Sequence, residues 1–240
     1  MAGWPADPRA GLRLSGAPQP AAPRWVCLDV GETLIDETRG WTVWAEVLGI
    51  PVMTFMAAFG AVVDRSRHHA EVFHLLGVPD PDRYQAEVAR RYGGFQQVDL
   101  YPDVLRTIAA LRATGHRVAI VANQPAIRGP ELRALGVTAE VMGMSDAMGV
   151  WKPDAEFFRR ALQLMGDPEA ADVAYVGDRP DNDVAPSRAA GMRAVWLRRG
   201  PWGVIHQAAP GANLVVGSLD ELVSRIHEAW APEPGVGPLA

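Results

Sequence analysis

Carboxylates and the chain's one lysine follow apolar runs at widely separated places in the sequence. Asp29 ends the run WVCLD, Asn123 ends RVAIVAN, and Asp178 ends DVAYVGD. Lys152 stands in GVWKPD, just before a helical segment. In a sheet of parallel strands, ligands bind beyond the carboxyl ends of the strands. We therefore expect these side chains to meet at one edge of a sheet.

Acidic residues are concentrated in the segment VGDRPDND, where Asp181 and Asp183 follow Asp178. Each of them alone could be an ordinary helix cap. Carboxylates held close to one another repel unless a cation lies among them. Hard oxygen ligands suit Mg²⁺, which keeps several waters and helps to bind phosphate groups. The sequence therefore predicts a Mg²⁺ site beside a phosphorylated ligand.

Lys152 is unusual because the 23 basic residues include no other lysine. A coding bias that replaces lysine by arginine explains the composition. The retained lysine is then expected where a compact, point-like ammonium group is needed rather than a planar guanidinium.

The apolar runs alternate with amphipathic segments, which is typical of βαβ units and predicts an α/β fold with a parallel sheet. The runs are almost purely apolar, as in strands that are buried on both faces. Residues 37–99 read as helical throughout and predict an inserted helical cap. The predicted core comprises residues 24–36 and 100–229. The terminal segments 1–23 and 230–240 are rich in Pro, Ala and Gly and are expected to be flexible tails.

Composition excludes several classes of function. The net charge is -5 with no basic stripe, so no nucleic-acid partner is predicted. Cys27 is the one cysteine, which rules out an internal disulfide and favours a reducing compartment. No apolar stretch has the length of a membrane span, and the start does not have the pattern of a signal peptide. We expect a cytoplasmic protein with no membrane partner.

Four motifs in a fixed order resemble those of the haloacid dehalogenase (HAD) superfamily of hydrolases. They are LDVGETL, IVANQP, WKPD and YVGDRPDNDVAPSRAAGM, and the resemblance extends over roughly residues 24–205. The last motif is the most specific, because an aspartate follows Gly-Asp after four residues. The resemblance implies a doubly wound, Rossmann-like core with a helical cap inserted after the first strand.

The resemblance also implies roles for the acidic residues. Asp29 would be the nucleophile that attacks phosphorus and forms an aspartyl-phosphate, which divides one difficult displacement into two. Asp29 and Asp178, with the backbone carbonyl of Gly31, would hold Mg²⁺. Asp183 would belong to the same metal site and orient Lys152 or a metal-bound water.

Two further residues would contact the substrate. The resemblance implies that Lys152 is catalytic and binds substrate, because it neutralises charge on the transferring phosphoryl group. Asn123 would take part in binding the phosphate. Ala122 departs from the family pattern, which has a serine or threonine that hydrogen-bonds the phosphate at this position.

Gly31 is the more serious departure. Phosphatases of this family have a second aspartate there, which protonates the leaving oxygen and then activates water. A positioned general acid or base is worth about 10²- to 10⁴-fold in rate. Glu32 is a possible substitute, although neighbouring residues of an extended loop point in different directions.

Three functions follow from these observations. The first is a Mg²⁺-dependent phosphohydrolase for a small phosphorylated metabolite, restricted to leaving groups that need no proton, such as acyl or aryl phosphates. The second is a catalytically impaired protein of the same fold with a binding or regulatory role. The third is a haloacid dehalogenase, which is disfavoured because Asp178 would repel the carboxylate of a haloacid.

Residues of the cap segment and one loop residue are weaker candidates with structural alternatives. His68, His69 and His74 suggest a metal site, but a spacing of five does not place histidines together on a helix, and a solvated helix is the simpler interpretation. Trp41 and Trp44 either line a substrate pocket or pack the cap onto the core. The arginines considered for an anionic substrate are Arg39, Arg65, Arg67 and Arg128. The residues expected in the hinge into the cap are Asp36 and Glu37.

Overall fold

The computed structural model describes residues 23–232. Most of the two predicted tails, residues 1–22 and 233–240, therefore lies outside the described residues. The described part contains one sheet of six parallel strands in the order β3-β2-β1-β4-β5-β6. The strands are β1 Trp25–Leu28, β2 Arg117–Ala122, β3 Val141–Met144, β4 Val173–Gly177, β5 Arg193–Leu197 and β6 Leu214–Val216.

Helices connect the strands. They are α1 Thr38–Leu48, α2 Val52–Asp64, α3 Glu71–Leu75, α4 Gln85–Tyr92, α5 Val104–Ala113, α6 Arg128–Ala134, α7 Ser145–Met148, α8 Ala155–Leu164, α9 Ala185–Ala189, α10 Gly200–Ile205 and α11 Leu219–Arg225. Shorter 3-10 turns and one π-helical turn are found at Asp82–Tyr84, Gln97–Asp99, Ala170–Asp172, Ile226–Trp230 and Pro180–Val184. Helices α1 to α5 all lie between β1 and β2, so the predicted helical insertion after the first strand is confirmed.

The sheet is buried on both faces. Along β1, Val26 and Leu28 pack on one side with residues of α5, α6 and α11. Trp25 and Cys27 pack on the other side with Phe157 and other residues of α8. This alternation explains why the strands are apolar at nearly every position, the exceptions being Arg117 and Arg193 at the starts of β2 and β5, since successive side chains enter two different cores. The predicted α/β class with a doubly covered parallel sheet is confirmed.

Aromatic side chains hold the inserted helices together and against the core. Trp41 of α1 lies 4.6 Å from Phe59 of α2, and Trp44 lies 4.6 Å from Phe73 of α3, measured between ring centroids. Phe59 also meets Trp202 of α10 edge to face at 5.3 Å. The two α1 tryptophans therefore pack the cap helices against one another, whereas the contact with the core is made by Phe59.

The histidine segment is not helical where the sequence suggested a helix. Helix α2 ends at Asp64, and Ser66 then adopts a left-handed conformation with φ of 52°. The chain does not resume a helix until Glu71, so His68 and His69 lie in the connection and only His74 lies on α3. The expectation of a solvated helix at the first two histidines is wrong because this turn interrupts it.

In the described residues, no single helix has the length and apolar composition needed to cross a membrane. Helices α1 and α2 meet the two criteria only when taken together, and they are bent by 118° relative to each other.

Candidate active site

Asp29 and Asp178 leave neighbouring strands at the same level. Strands β1 and β4 are paired with Leu28 opposite Val176, and the amide of Asp29 donates to the carbonyl of Val176 at 2.9 Å. Asp178 directly follows Gly177, the last residue of β4. Parallel pairing of β1 and β4 therefore places two acidic groups at one edge of the sheet. Both carboxylates are buried there.

Lys152 joins this pair from the loop after α7. Its Nζ lies 2.7 Å from Asp29 Oδ1 and 2.6 Å from Asp183 Oδ1. The lysine side chain is 1% exposed. Burial alone would lower the pKa of Lys152, but the charges of Asp183 and Asp29 outweigh it and raise the pKa. The ammonium group is therefore held in its charged form between two carboxylates, as the lysine count suggested.

The π-helical turn at Pro180–Val184 folds Asp183 back onto the strand end. Gly177 permits this approach, because a Cβ at that position would collide with the Asp183 carboxylate. Asp183 Oδ2 accepts a hydrogen bond from the Arg179 amide at 2.9 Å, while Oδ1 accepts from Lys152. Both oxygens are thus engaged, which fits the expected role of orienting Lys152. Direct metal ligation by Asp183 stays a prediction.

The three aspartates form the one group in residues 23–232 whose carboxylate, imidazole or thiol ligand atoms are clustered tightly enough for a metal. Ligand oxygens of Asp29, Asp178 and Asp183 all lie within 4.8 Å of one another. Asp178 Oδ2 is buried and has no hydrogen-bond partner. Lys152 and the nearby Arg179, which is itself paired with Asp181, leave an excess of negative charge among the three carboxylates when all are ionised. A divalent cation fits both the unpartnered oxygen and this excess charge.

Proton affinities in the cluster reflect the same crowding. Burial raises the pKa of Asp29 to about 6, against the opposing effect of Lys152. The pKa of Asp178 is raised well above its usual range by burial and then by the charges of Asp183 and Asp29. Asp29 and Asp178 therefore bind protons more readily than ordinary aspartates.

Asn123 is committed to the lysine loop. Its Nδ2 donates to the carbonyl of Lys152 at 3.0 Å, and its Oδ1 accepts from the amide of Lys152 at 2.8 Å. These two bonds fix the backbone that carries the Lys152 ammonium group. The predicted contact between Asn123 and a substrate phosphate stays a prediction, with one amide hydrogen left for it.

Glu37 occupies the space next to Gly31. The amides of Leu34 and Ile35 both donate to the Val30 carbonyl, at 2.8 and 3.0 Å, which closes a tight turn after the first strand. The turn brings Glu37 back, so that a Cβ on Gly31 would lie 2.6 Å from Glu37 Oε1. Burial raises the pKa of Glu37 to about 7, and the charges of Glu32 and Asp29 contribute.

Glu32 is engaged elsewhere in the turn. Its Oε1 accepts from the Glu37 amide at 3.0 Å and its Oε2 accepts from the Tyr101 hydroxyl at 2.7 Å. Its carboxylate also packs against Gly200, where a Cβ would collide with it. These contacts give Glu32 a structural role and do not support its substitution for the missing acid.

Two cavities meet at Glu37. The inner cavity has a volume of about 70 Å³, and the residues that line it include Asp29, Asp178, Lys152, His69, Arg179 and Trp202. The outer cavity has a volume of about 210 Å³ and lies among aromatic side chains of the cap, with Arg128 at its side. Glu37 and Gln124 line both cavities. Trp41 and Trp44 line the outer cavity, so they have the pocket role as well as the packing role.

Most of the candidate arginines have other partners. Arg39 forms a 2.5 Å ion pair with Asp99 and donates to the carbonyls of Tyr92 and Gly94, both at 2.6 Å. This network ties α1 to the end of α4, so the expectation that Arg39 binds an anionic substrate is not supported. Arg65 is exposed on the cap, and Arg67 pairs with Glu71 at its surface.

Some residues of the site were missed from the sequence. Arg179 and Asn182 belong to the VGDRPDND segment, and Trp202 belongs to LRRGPWG, so their motifs were noticed but their side chains were not. Arg179 lies over the Trp202 ring at 4.5 Å, which forms one wall of the inner cavity. His69 was considered for a metal site among the cap histidines and not for this cavity, because its place depends on how the cap folds onto the core.

Comparison with known proteins identifies relatives. A model of the haloacid dehalogenase-like hydrolase family matches residues 23–191. The chain is 38% identical over 150 residues to the plasmid phosphoglycolate phosphatase of Cupriavidus necator, covering 61% of this chain and 62% of the relative. It is 36% identical over 199 residues to a phosphoserine phosphatase of Thermus thermophilus, covering 75% of this chain and 76% of the relative. The chain thus spans somewhat less than two thirds of the first relative's length.

A solved structure shares the fold. The magnesium-bound HAD hydrolase YfnB of Bacillus subtilis superimposes with a TM-score of 0.67 at 18% identity, covering 84% of this chain and 97% of that protein. At this level of identity the likeness concerns the fold alone.

Proposed function

Because the chain belongs to the haloacid dehalogenase-like hydrolase family, we propose that it is a Mg²⁺-dependent phosphohydrolase. Its substrate is a small phosphorylated metabolite, and the reaction proceeds through an aspartyl-phosphate on Asp29. The observation that carries the proposal is the position of Lys152, with Nζ 2.7 Å from Asp29 Oδ1 and 2.6 Å from Asp183 Oδ1.

Asp29, Lys152 and Asp183 have separate roles in the proposed reaction. Asp29 supplies the carboxylate oxygen that attacks phosphorus, and Lys152 holds that carboxylate in place while offering positive charge to the phosphoryl oxygens. Asp183 anchors Lys152 from the opposite side. Asp29 and Asp178, with the carbonyl of Gly31, would hold Mg²⁺, which would supply further charge stabilisation for the phosphoryl group.

The size of the site supports a small substrate. The inner cavity, at about 70 Å³, suits a phosphoryl group, and the outer cavity, at about 210 Å³, suits the remainder of a small molecule. Relatives named as phosphatases of phosphoglycolate, phosphoserine and glyceraldehyde 3-phosphate are consistent with this size class. Arg128 at the side of the outer cavity is paired with Glu131 at 2.6 Å, so its charge is already offset and gives no support for an anionic leaving group.

Haloacid dehalogenation is a poorer fit. One buried oxygen of Asp178 has no hydrogen-bond partner. Ligand oxygens of Asp178, Asp29 and Asp183 also lie within 4.8 Å of one another. This arrangement calls for a cation and would repel the carboxylate of a haloacid, whereas a metal-bound phosphoryl group satisfies it.

Phosphate release from acetyl phosphate, p-nitrophenyl phosphate and a sugar phosphate tests the proposal. Each is assayed with Mg²⁺ and with EDTA, and Asp29→Asn protein purified in parallel controls for contaminating phosphatase. Turnover that needs both Mg²⁺ and Asp29 supports the proposal. Equal inactivity of wild type and Asp29→Asn on all three substrates overturns it and favours a binding or regulatory role for the fold.

A further inference from the structure

Phosphate-ester cleavage through Asp29 requires a group that donates a proton to the leaving oxygen and later accepts one from water. When the leaving group is an alkoxide, the bridging oxygen must be protonated as its bond to phosphorus breaks, and a water must later lose a proton as it attacks the aspartyl-phosphate. Lys152 directs two of its three protons to carboxylates, and their charges raise its pKa, so it is a poor proton donor. Gly31 has no side chain to offer, and another group has to serve.

Of the carboxyl groups that line the two cavities, Glu37 is the one not already engaged by the cluster or the turn. Asp29 is paired with Lys152, and Asp178 faces the other aspartates of the cluster. Both oxygens of Glu32 accept hydrogen bonds from within the turn. The Glu37 carboxylate accepts a long hydrogen bond of 3.4 Å from Gln124 Nε2.

The position of Glu37 depends on the absence of a side chain at Gly31. A Cβ there would lie 2.6 Å from Glu37 Oε1 and 2.9 Å from the carboxyl carbon. The glutamate carboxylate thus fills the volume that a short acidic side chain on residue 31 would enter. It reaches this volume from a different point of the chain, six residues further on.

Glu37 also stands where a leaving group would cross between the cavities. It lines the inner cavity with Asp29 and Lys152 and the outer cavity with Trp41 and Trp44. If the phosphorus atom of the substrate lies beside Asp29 and its organic part lies among the aromatic rings, the bridging oxygen between them lies next to the Glu37 carboxyl group.

We propose that Glu37 is the general acid and base of the reaction, supplied from the start of the cap in place of a side chain at residue 31. This inference rests on the proposed function. As an Asp29 oxygen bonds to phosphorus, the bond from phosphorus to the bridging oxygen breaks and Glu37 gives its proton to that oxygen. Glu37 then takes a proton from a water whose oxygen attacks phosphorus, which breaks the bond to Asp29 and releases inorganic phosphate.

The test compares Glu37→Gln with wild type on acetyl phosphate, p-nitrophenyl phosphate and glycerol phosphate, whose leaving groups differ in their need for a proton. We expect kcat/KM on glycerol phosphate to fall by about 10²- to 10⁴-fold and kcat/KM on acetyl phosphate to change little. Since the second step also lacks its base, kcat should fall on all three, and phosphorylated Asp29 should accumulate. Asp36→Asn, which alters the neighbouring acid at the start of α1, is the matched control and should behave as wild type.

A relocation experiment separates catalysis from structure. In Glu37→Ala the volume beside residue 31 is vacated, so Gly31→Asp added to it should recover activity on glycerol phosphate. A loss in kcat/KM that is equal on all three substrates, or a double variant no more active than Glu37→Ala, overturns the inference.

Wild type alone provides a further check that does not depend on how the variants fold. Its kcat/KM should depend only weakly on the basicity of the leaving group, and a steep dependence overturns the role of Glu37. Inactivity of wild type on every substrate would instead contradict the proposed function, so the two failures are distinguishable.

Discussion

The side-chain amide of Asn123 is bonded twice to the backbone of Lys152, as donor to its carbonyl and as acceptor from its amide. Strand β2 thereby holds the loop that carries the ammonium group, although the two residues are 29 positions apart. The position of Lys152 between Asp29 and Asp183 depends on this tie as much as on its own ion pairs.

Asn123→Ala should lower kcat more than it raises KM, because Lys152 loses its backbone anchor while the phosphate-binding charge stays on the chain. Two hydrogen bonds worth about 1 kcal/mol each are removed, so the free energy of unfolding should fall by about 2 kcal/mol. Steady-state kinetics and urea denaturation measure the two effects. A rise in KM with unchanged kcat would indicate that Asn123 binds the phosphate directly instead.

Asp178→Asn should separate stability from metal binding. In EDTA the variant should be more stable than wild type, by about 1–3 kcal/mol, since a buried carboxylate without a partner is replaced by a neutral amide. Added Mg²⁺ should raise the melting temperature of wild type and not that of the variant.

Asp181→Asn is the matched control for this change, because Asp181 lies in the same turn but is 43% exposed and pairs with Arg179. It should keep the response to Mg²⁺. If Asp178→Asn retained a wild-type response to Mg²⁺ in calorimetry and thermal denaturation, the aspartate cluster would not be the metal site.

The cluster could be predicted from sequence because each member follows an apolar strand or a strand-proximal loop. Asp29 and Asp178 both come directly after a run of buried residues, and parallel pairing brings such positions together whatever the distance along the chain. Lys152 was singled out by composition alone. These are local signals that need no knowledge of loop conformation.

The position of Glu37 could not be predicted in the same way. It was assigned to the hinge, and its place beside Gly31 results from three amides converging on the Val30 carbonyl, which spacing does not reveal. His69 likewise reaches the inner cavity only because the connection after α2 turns at Ser66. Contacts made by turns and by the cap depend on tertiary packing, for which the sequence carries no periodic signal.

Arg39→Ala should loosen the packing of helix α1 against the end of α4 within the cap. The guanidinium pairs with the buried Asp99 at 2.5 Å and lies 4.0 Å from the centre of the Tyr92 ring. Because one charged hydrogen-bonding partner of a buried carboxylate is lost, we expect the free energy of unfolding to fall by about 2 kcal/mol. Chemical denaturation measures this change. The control is Arg65→Ala, which alters an exposed arginine of the same cap, and its free energy of unfolding should lie within about 0.5 kcal/mol of the wild-type value. Equal effects of the two substitutions would contradict the structural role of Arg39.

His69 should make the folded protein sensitive to mild acid. Burial, followed by the charges of His68 and Arg179, lowers the pKa of His69 from 6.5 to about 3. Between these values the unfolded chain binds more protons than the folded protein, so the stabilising contribution is complete above pH 6.5 and is lost as the pH falls. The slope for one such group is at most about 1.4 kcal/mol per pH unit, and partial exposure of the ring reduces it. Urea denaturation of wild type and His69→Gln at pH 7.5, 6 and 5 should therefore show a stability difference that shifts in favour of the variant as the pH falls, whereas a difference independent of pH would show that His69 is protonated equally in both states.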